Sequence, residues 1–195
     1  EFACLTGKDA TFGQSQHKGI LLALEELNAA GGVLGRKIEV ISEDNQSKSG
    51  ESATVAKKLL SRDKVIAILG EVTSGRTLEV APLAQSAKIP LIASGATNPA
   101  VTQKGDYVFR VCFIDDFQGT VMAKFALTDL KAKKVATLTS VSSAYSVGLA
   151  KYFKETFVAG GGTVVAEQKF SEGDKDCRAQ LTAIKAAHVD AIFIP

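Results

Sequence analysis

Short runs of β-branched and aliphatic residues alternate along this chain with longer segments whose apolar residues recur every three or four positions. Residues 2–5 read as a short strand. Residues 13–30 read as a helix, because Ile20, Leu21, Leu24 and Leu27 recur at helical spacing. Gly31-Gly32 ends it, since glycine tolerates the left-handed turn past a helix. Alternation around Ile38, Val40 and Ile41 predicts a strand over 37–42. A helix over 49–61 follows, with Val55, Leu59 and Leu60 on one face. The continuous apolar run Val65-Ile66-Ala67-Ile68-Leu69 predicts a strand buried on both faces of a parallel sheet. A helix over 74–87, strands over 89–93 and 107–111 and a helix over 117–130 complete the first rhythm. It restarts with a strand over 135–139, a helix over 146–159, a glycine stop at 160–162, a strand over 164–170, a helix over 177–187 and a strand over 191–194. Strands alternating with helices predict an α/β fold, a doubly wound parallel sheet with right-handed crossovers. The restart near 114–118 predicts two lobes, 1–116 and 117–195, the first complete and the second partial. The chain stops on the apolar strand Ala191 to Pro195 with no loop after it, so the natural protein is expected to continue.

Composition narrows the class. With 46% hydrophobic and 23% charged residues the chain has a globular balance, which argues against disorder. A net charge of +2 gives no electrostatic footprint for nucleic acid. The densest basic cluster, Lys131, Lys133 and Lys134, reads as the solvated end of a helix. No apolar stretch approaches the roughly 20 residues that span a bilayer, so no membrane insertion is expected. No secretory leader is visible, and Glu1 at the start suits a mature or trimmed form. Cys4, Cys112 and Cys177 are odd in number and too widely spaced for a zinc motif; free thiols are expected.

Ligands in open α/β sheets bind beyond the carboxyl ends of the strands. That rule selects the loops 5–13, 70–75, 94–99 and 140–145, most of them rich in Gly, Ser and Thr. Small residues let a ligand approach backbone N–H groups, and Ser74-Gly75 stands at a predicted helix start, where amides and dipole favour an anion. With Thr97 on the neighbouring loop this makes a carboxylate cradle without arginine. From spacing alone, Ser74 reads first as a helix cap and Thr97 as a turn residue, roles that can coexist with binding.

Five segments carry a more specific signal in their order and spacing: LTGKDATFG (5–13), LNAAGG (27–32), SGATNP (94–99), FIDDFQG (113–119) and AYSVGLA (144–150). Through them nearly the whole chain resembles the type I periplasmic binding proteins that serve ABC transporters, the Leu/Ile/Val-binding group in particular. The resemblance implies two α/β lobes closing on a small amino acid, delivery to an ABC transporter permease, a periplasmic location and no cofactor. It implies that Ser74, Gly95 and Thr97 meet the ligand carboxylate, with Ala96 between the last two. Asp115 and Tyr145 would lie beside the ammonium, Phe12 would line the side-chain pocket, and Thr73 would form a neighbouring wall. Cys4 stands where the family usually has proline, and Cys177 where an aromatic residue is common. A further acidic residue of the relatives, later in the second lobe, lies past the end of this chain.

Enzymatic readings find little support. His17 and His188 have no Ser or Cys near them in a recognised nucleophile arrangement, and no Walker or dinucleotide glycine pattern is present. Glu43-Asp44-Asn45 has the residue types of a metal site but reads as a solvated loop after a strand. Cys177 at a helix start could be reactive, yet no redox partner is near it in sequence. A sensor domain of the same fold remains a rival reading. A partial second lobe would expose strand edges that invite pairing, so a homodimer of this chain is also expected.

Overall fold

The computed structural model describes residues 1–195. They form two compact units. The first comprises Glu1–Ala96 and Ala100–Cys112, and the second Thr97–Pro99 and Phe113–Pro195. The sequence rhythm places the division after residue 116. In the structure the chain passes into the second unit after Cys112, having already lent it the short segment Thr97–Pro99.

The first unit contains β1 (Phe2–Ala3), α1 (Ala10–Ala29), β2 (Glu43–Asp44), α2 (Glu51–Ser61), β3 (Ile68–Leu69), α3 (Ser74–Ala87), β4 (Leu91–Ala93) and β5 (Val108–Arg110). All pairings are parallel: β1 with β2, and separately β3-β4-β5 in that order. Val55, Ala56 and Leu59 on α2 and Val80, Ala81 and Ala84 on α3 are spaced to fall on one face of each helix. They close over Phe2, Ile68, Leu91, Ala93 and Val108, which make a single apolar core.

Two predicted strands are shorter than the pattern suggests. Residues 37–42 carry no ladder at all, and β2 begins only at Glu43, where it meets the two residues of β1. The segment is held extended by other means: the Asn28 side chain exchanges two hydrogen bonds with the backbone of Ile38, at 2.8 and 2.9 Å. In 65–69 only Ile68–Leu69 is strand, and Ile66 is 88% exposed. The exposed residue thus precedes the strand, within which Ile68 is buried and Leu69, on the opposite face, is half-buried. α2 and α3 cover Ile68, whereas Ile66, Phe109 and Val111 are exposed.

The second unit contains α4 (Asp115–Thr128), β6 (Lys134–Ser140), α5 (Ala144–Ala159), β7 (Thr163–Phe170), α6 (Arg178–Ala186) and β8 (Ala191–Phe193). The sheet is parallel, ordered β7-β6-β8. Central β6 is buried over Val135, Ala136, Thr137 and Leu138, while edge strand β7 alternates between exposed and half-buried. Phe153 stacks between Phe157 and Phe193, with ring centroids 5.5 and 3.9 Å away. α4 and α5 approach at Gly119, where a β-carbon would lie 2.7 Å from Tyr152 Cβ and 2.8 Å from Phe153 N; only glycine allows this crossing.

Both units are thus parallel α/β layers, as the alternating pattern predicts. No helix is long and apolar enough to cross a membrane. The basic cluster Lys131, Lys133 and Lys134 is exposed, as expected, but lies past the end of α4: Lys131 and Lys133 are in the connection to β6 and Lys134 is its first residue.

Candidate functional site

In the first unit, the loops beyond the strand ends converge. The loop 5–9 after β1 is held by Asp44 at the end of β2. Its Oδ1 accepts the N–H groups of Leu5 (2.9 Å), Thr6 (3.2 Å) and Gln46 (2.8 Å), and its Oδ2 accepts the Thr6 hydroxyl (2.6 Å). Partial burial by itself would raise this carboxyl, but the Thr6 hydroxyl and three amides outweigh it and hold Asp44 below the usual aspartate range. Ser47 completes the junction. Its hydroxyl donates to Thr6 O at 2.7 Å and accepts from Asp9 N at 3.2 Å, and its carbonyl accepts Arg76 Nη2 at 2.9 Å.

The loop 70–75 leads into α3. Ser74 is the first helical residue and Thr73 the N-cap, so the capping role that Ser74 could have taken falls to its neighbour's position. Thr73 makes no side-chain cap either. Its hydroxyl donates to the carboxylate of Glu71, and its N–H donates to the same oxygen, Oε2. The first intrahelical bond runs from Thr77 N to Thr73 O, so the first-turn amides of α3 stand outside the helical ladder. Gly95 N–H donates to Glu71 O, and a β-carbon on Gly95 would come within 3.1 Å of Val72 Cα and O. This contact brings the 94–96 loop against the 70–75 loop.

Ser74 is 1% exposed and Ala96 is fully buried, with its carbonyl accepting from Arg110 Nη1 at 3.0 Å. Phe12, by contrast, is 63% exposed. It lies at one end of an open groove of about 780 Å³ that follows α1, lined among others by Ile20, Leu24, Leu27, Leu69, Val72 and Ser94. Only the end with Phe12, Val72 and Ser94 reaches the loop cluster. The remainder is helix and sheet surface.

The second unit gathers Thr97, Asp115 and Tyr145. Asp115 N–H donates to Thr97 O at 3.0 Å, and Asn98 Nδ2 donates to Ala144 O at 2.8 Å. Gln118 Nε2 donates to the Tyr145 hydroxyl at 3.3 Å. Asp115 is 0% exposed, at the first residue of α4. α5 starts cleanly, because Ser143 caps it by accepting from Ser146 N, while the Ser146 hydroxyl accepts from Ser140 N at 2.9 Å. Loops 97–99, 113–118 and 140–146 are thereby stitched together within one unit.

Several residues organise these loops in a way the sequence did not lead one to expect. Glu43-Asp44-Asn45 is not a solvated loop. Glu43 and Asp44 are strand β2, and Asn45 is fully buried. Asn45 Nδ2 donates to Ser52 Oγ at 3.1 Å and to Glu71 Oε1, and its Oδ1 accepts from Ser47 N at 3.0 Å. Glu71, also fully buried, gave no signal beyond lying in a loop after a strand. Cys4 is buried beside it. Burial, and then the negative charge of Glu71 and its hydrogen bond, push the Cys4 thiol up to about 12. All three cysteines are free thiols, Cys112 and Cys177 being half-buried. His17 is paired with the Glu1 carboxylate.

The periplasmic binding protein family matches residues 2–194. The chain belongs to that family. Among curated proteins it is 35% identical over 192 residues to the Leu/Ile/Val-binding protein BraC3 of Rhizobium johnstonii, covering 98% of this chain and 52% of that protein. Among solved structures, the leucine-binding protein LivK of Thermotoga maritima is 41% identical with a TM-score of 0.94, over 99% of this chain and 54% of that one. The branched-chain amino acid binding protein LivJ of Streptococcus pneumoniae, solved with isoleucine, is 39% identical with a TM-score of 0.90, over 100% of this chain and 55% of that one. This member of the family therefore spans about half the length of the relatives it matches. Over that span it shares their fold.

Proposed function

We propose that this chain is the ligand-binding part of a non-catalytic, periplasmic solute-binding protein that carries branched-chain or other small amino acids to an ABC transporter permease. The observation that carries this reading is the corner at 70–75. It sets Ser74 and the Gly75 and Arg76 amides, which Thr73 does not cap, against the Gly95 loop, a donor-rich arrangement suited to a carboxylate. In this reading Ser74, Gly95 and Thr97 receive the carboxylate, with Ala96 in the same stretch, and Thr73 backs Ser74. Phe12 offers an apolar wall to an aliphatic side chain, whose full burial is worth about 1.5–3 kcal/mol. Asp115 and Tyr145 attend the ammonium. Leucine and isoleucine appear in the names and ligands of the relatives, which makes them the first candidates.

The test is a thermal-shift screen of the proteinogenic amino acids, run on this chain and on a version extended to the length of its relatives. Stabilisation by leucine, isoleucine or valine in either form supports the reading. No stabilisation by any amino acid in both forms removes it.

A specific observation also favours self-association of this chain: Ile66, Phe109 and Val111, the last 76% exposed, leave apolar surface on the first unit. Light scattering across a concentration series checks this, and a monomer throughout excludes it.

A further inference from the structure

Glu71 is a fully buried carboxylate that the ligand-binding reading does not itself use. Its two oxygens face different partners. Oε1 accepts the amide of Asn45, itself buried and anchored on Ser52 and Ser47. Oε2 accepts both the N–H and the hydroxyl of Thr73. The backbone of Glu71 is fixed as well. Its N–H donates to Thr77 Oγ1 at 3.2 Å, Thr77 Oγ1 donates to Thr73 O at 2.9 Å, and the Glu71 carbonyl accepts from Gly95. One residue thus joins the loop after β2, the start of α3 and the loop after β4.

The Thr73 hydroxyl is the group that would ordinarily cap α3 by accepting from its first-turn amides. Glu71 draws it the other way. We infer that Glu71 is the positioning residue of the Ser74 corner: it holds Thr73 turned away from the helix start, so that the amides of Gly75 and Arg76, which an N-cap side chain would take, stay available to a ligand. The role rests on the amino-acid-binding reading above for its purpose, but not for its geometry.

Glutamine cannot take over. It offers one acceptor and one donor group, and both carboxylate positions are occupied by N–H donors. Turning its NH2 toward Thr73 sets donor against donor. Turning it toward Asn45 obliges that amide to flip, which faces its NH2 toward Ser47 N–H. A Thr73→Val variant removes only the hydroxyl, at nearly constant shape, while Thr73→Ser keeps it.

The experiment is amide hydrogen exchange by NMR on the wild type, Glu71→Gln, Thr73→Val and Thr73→Ser, with an L-leucine titration of each in parallel. A bond to a charged group that is lost should speed exchange of the Thr73 amide about tenfold in Glu71→Gln. The β6 amides of residues 135–138 should stay as protected as in the wild type. Folded Glu71→Gln should bind leucine more weakly, because its released Thr73 hydroxyl can cap α3, whereas Thr73→Val, with no hydroxyl to cap with, should bind as the wild type does. Unchanged exchange at Thr73 in folded Glu71→Gln overturns the inference. If Glu71→Gln does not fold, exchange at residue 73 that is equal in Thr73→Val and Thr73→Ser overturns it. A wild type that binds no amino acid, with exchange altered as expected, sinks the binding reading and leaves the positioning role standing.

Discussion

Asp44 offers a sharp test of how the loops are held, because Asn and Ala at this position remove different things. Its Oδ1 gathers three amides and its Oδ2 the Thr6 hydroxyl. In Asp44→Asn the carbonyl oxygen can keep the three amides, and the Thr6 hydroxyl can rotate to accept from the new NH2. Only charge assistance is lost, which costs about 1 kcal/mol, the difference between charged and neutral hydrogen bonds. In Asp44→Ala all four partners lose their acceptor. Thr6 and Gln46 are exposed and rehydrate, but the half-buried Leu5 amide pays a desolvation cost, for a total of about 2–4 kcal/mol. The carboxyl is held below its ordinary value in the folded protein. Its contribution is therefore present above pH ~3.8 and is lost as pH falls through the folded value. Urea unfolding of the three proteins at pH 7, repeated stepwise toward pH 3, measures both effects. Equal losses for Asn and Ala, or the same acid dependence for the wild type and Asp44→Asn, would refute the reasoning.

Other outcomes follow from the same structure. Ser74→Ala should weaken leucine binding roughly tenfold by calorimetry if its hydroxyl meets the carboxylate, as one hydrogen bond to a charged group is worth about 1.5–3 kcal/mol. Gly119→Ala should destabilise the second unit by about 1–3 kcal/mol in urea, because the added methyl meets Tyr152 and the backbone of Phe153. Phe153→Ala should cost about 3–5 kcal/mol, since it sits in the stack with Phe157 and Phe193. The Cys4 thiol is pushed up to about 12 in the folded state against 9.0 for an ordinary thiol, so the fold retains a proton that the unfolded chain releases. Its contribution is complete below pH 9 and is lost toward 12, with a slope of about 1.4 kcal/mol per pH unit at most. Cys4→Ala should flatten that alkaline loss in denaturation curves.

Much of the fold was legible because helices carry their period in sequence. Ser74–Ala87 falls where the pattern puts it, and the other helices begin or end within a few residues. Strands were less legible. Ile38, Val40 and Ile41 alternate as a strand should, yet a ladder needs a partner, and β1 offers only two residues, both matched to Glu43–Asp44. The run 65–69 looks like one buried strand because composition cannot say how much of it will find a ladder; only Ile68–Leu69 does, and Ile66 before it is exposed. Within the loops, small residues and the helix start at 74 pointed to segments 70–75 and 94–96, which the structure brings into contact. Asp44, Asn45, Ser47 and Glu71 escaped because polar side chains after strands look solvated until tertiary contacts bury them. Thr97, Asp115 and Tyr145 lie far apart in sequence, and the family motifs, rather than periodicity, singled out Asp115 and Tyr145.

The central claim is that the Ser74 corner holds the carboxylate of an amino acid. The most direct measurement is a titration of the ¹⁵N-labelled protein with L-leucine, in this chain and in its extended version. The account predicts that the amides of Ser74, Gly75 and Gly95 shift most, and that acetate moves the same three weakly. Binding that leaves these amides in place while others move would contradict it.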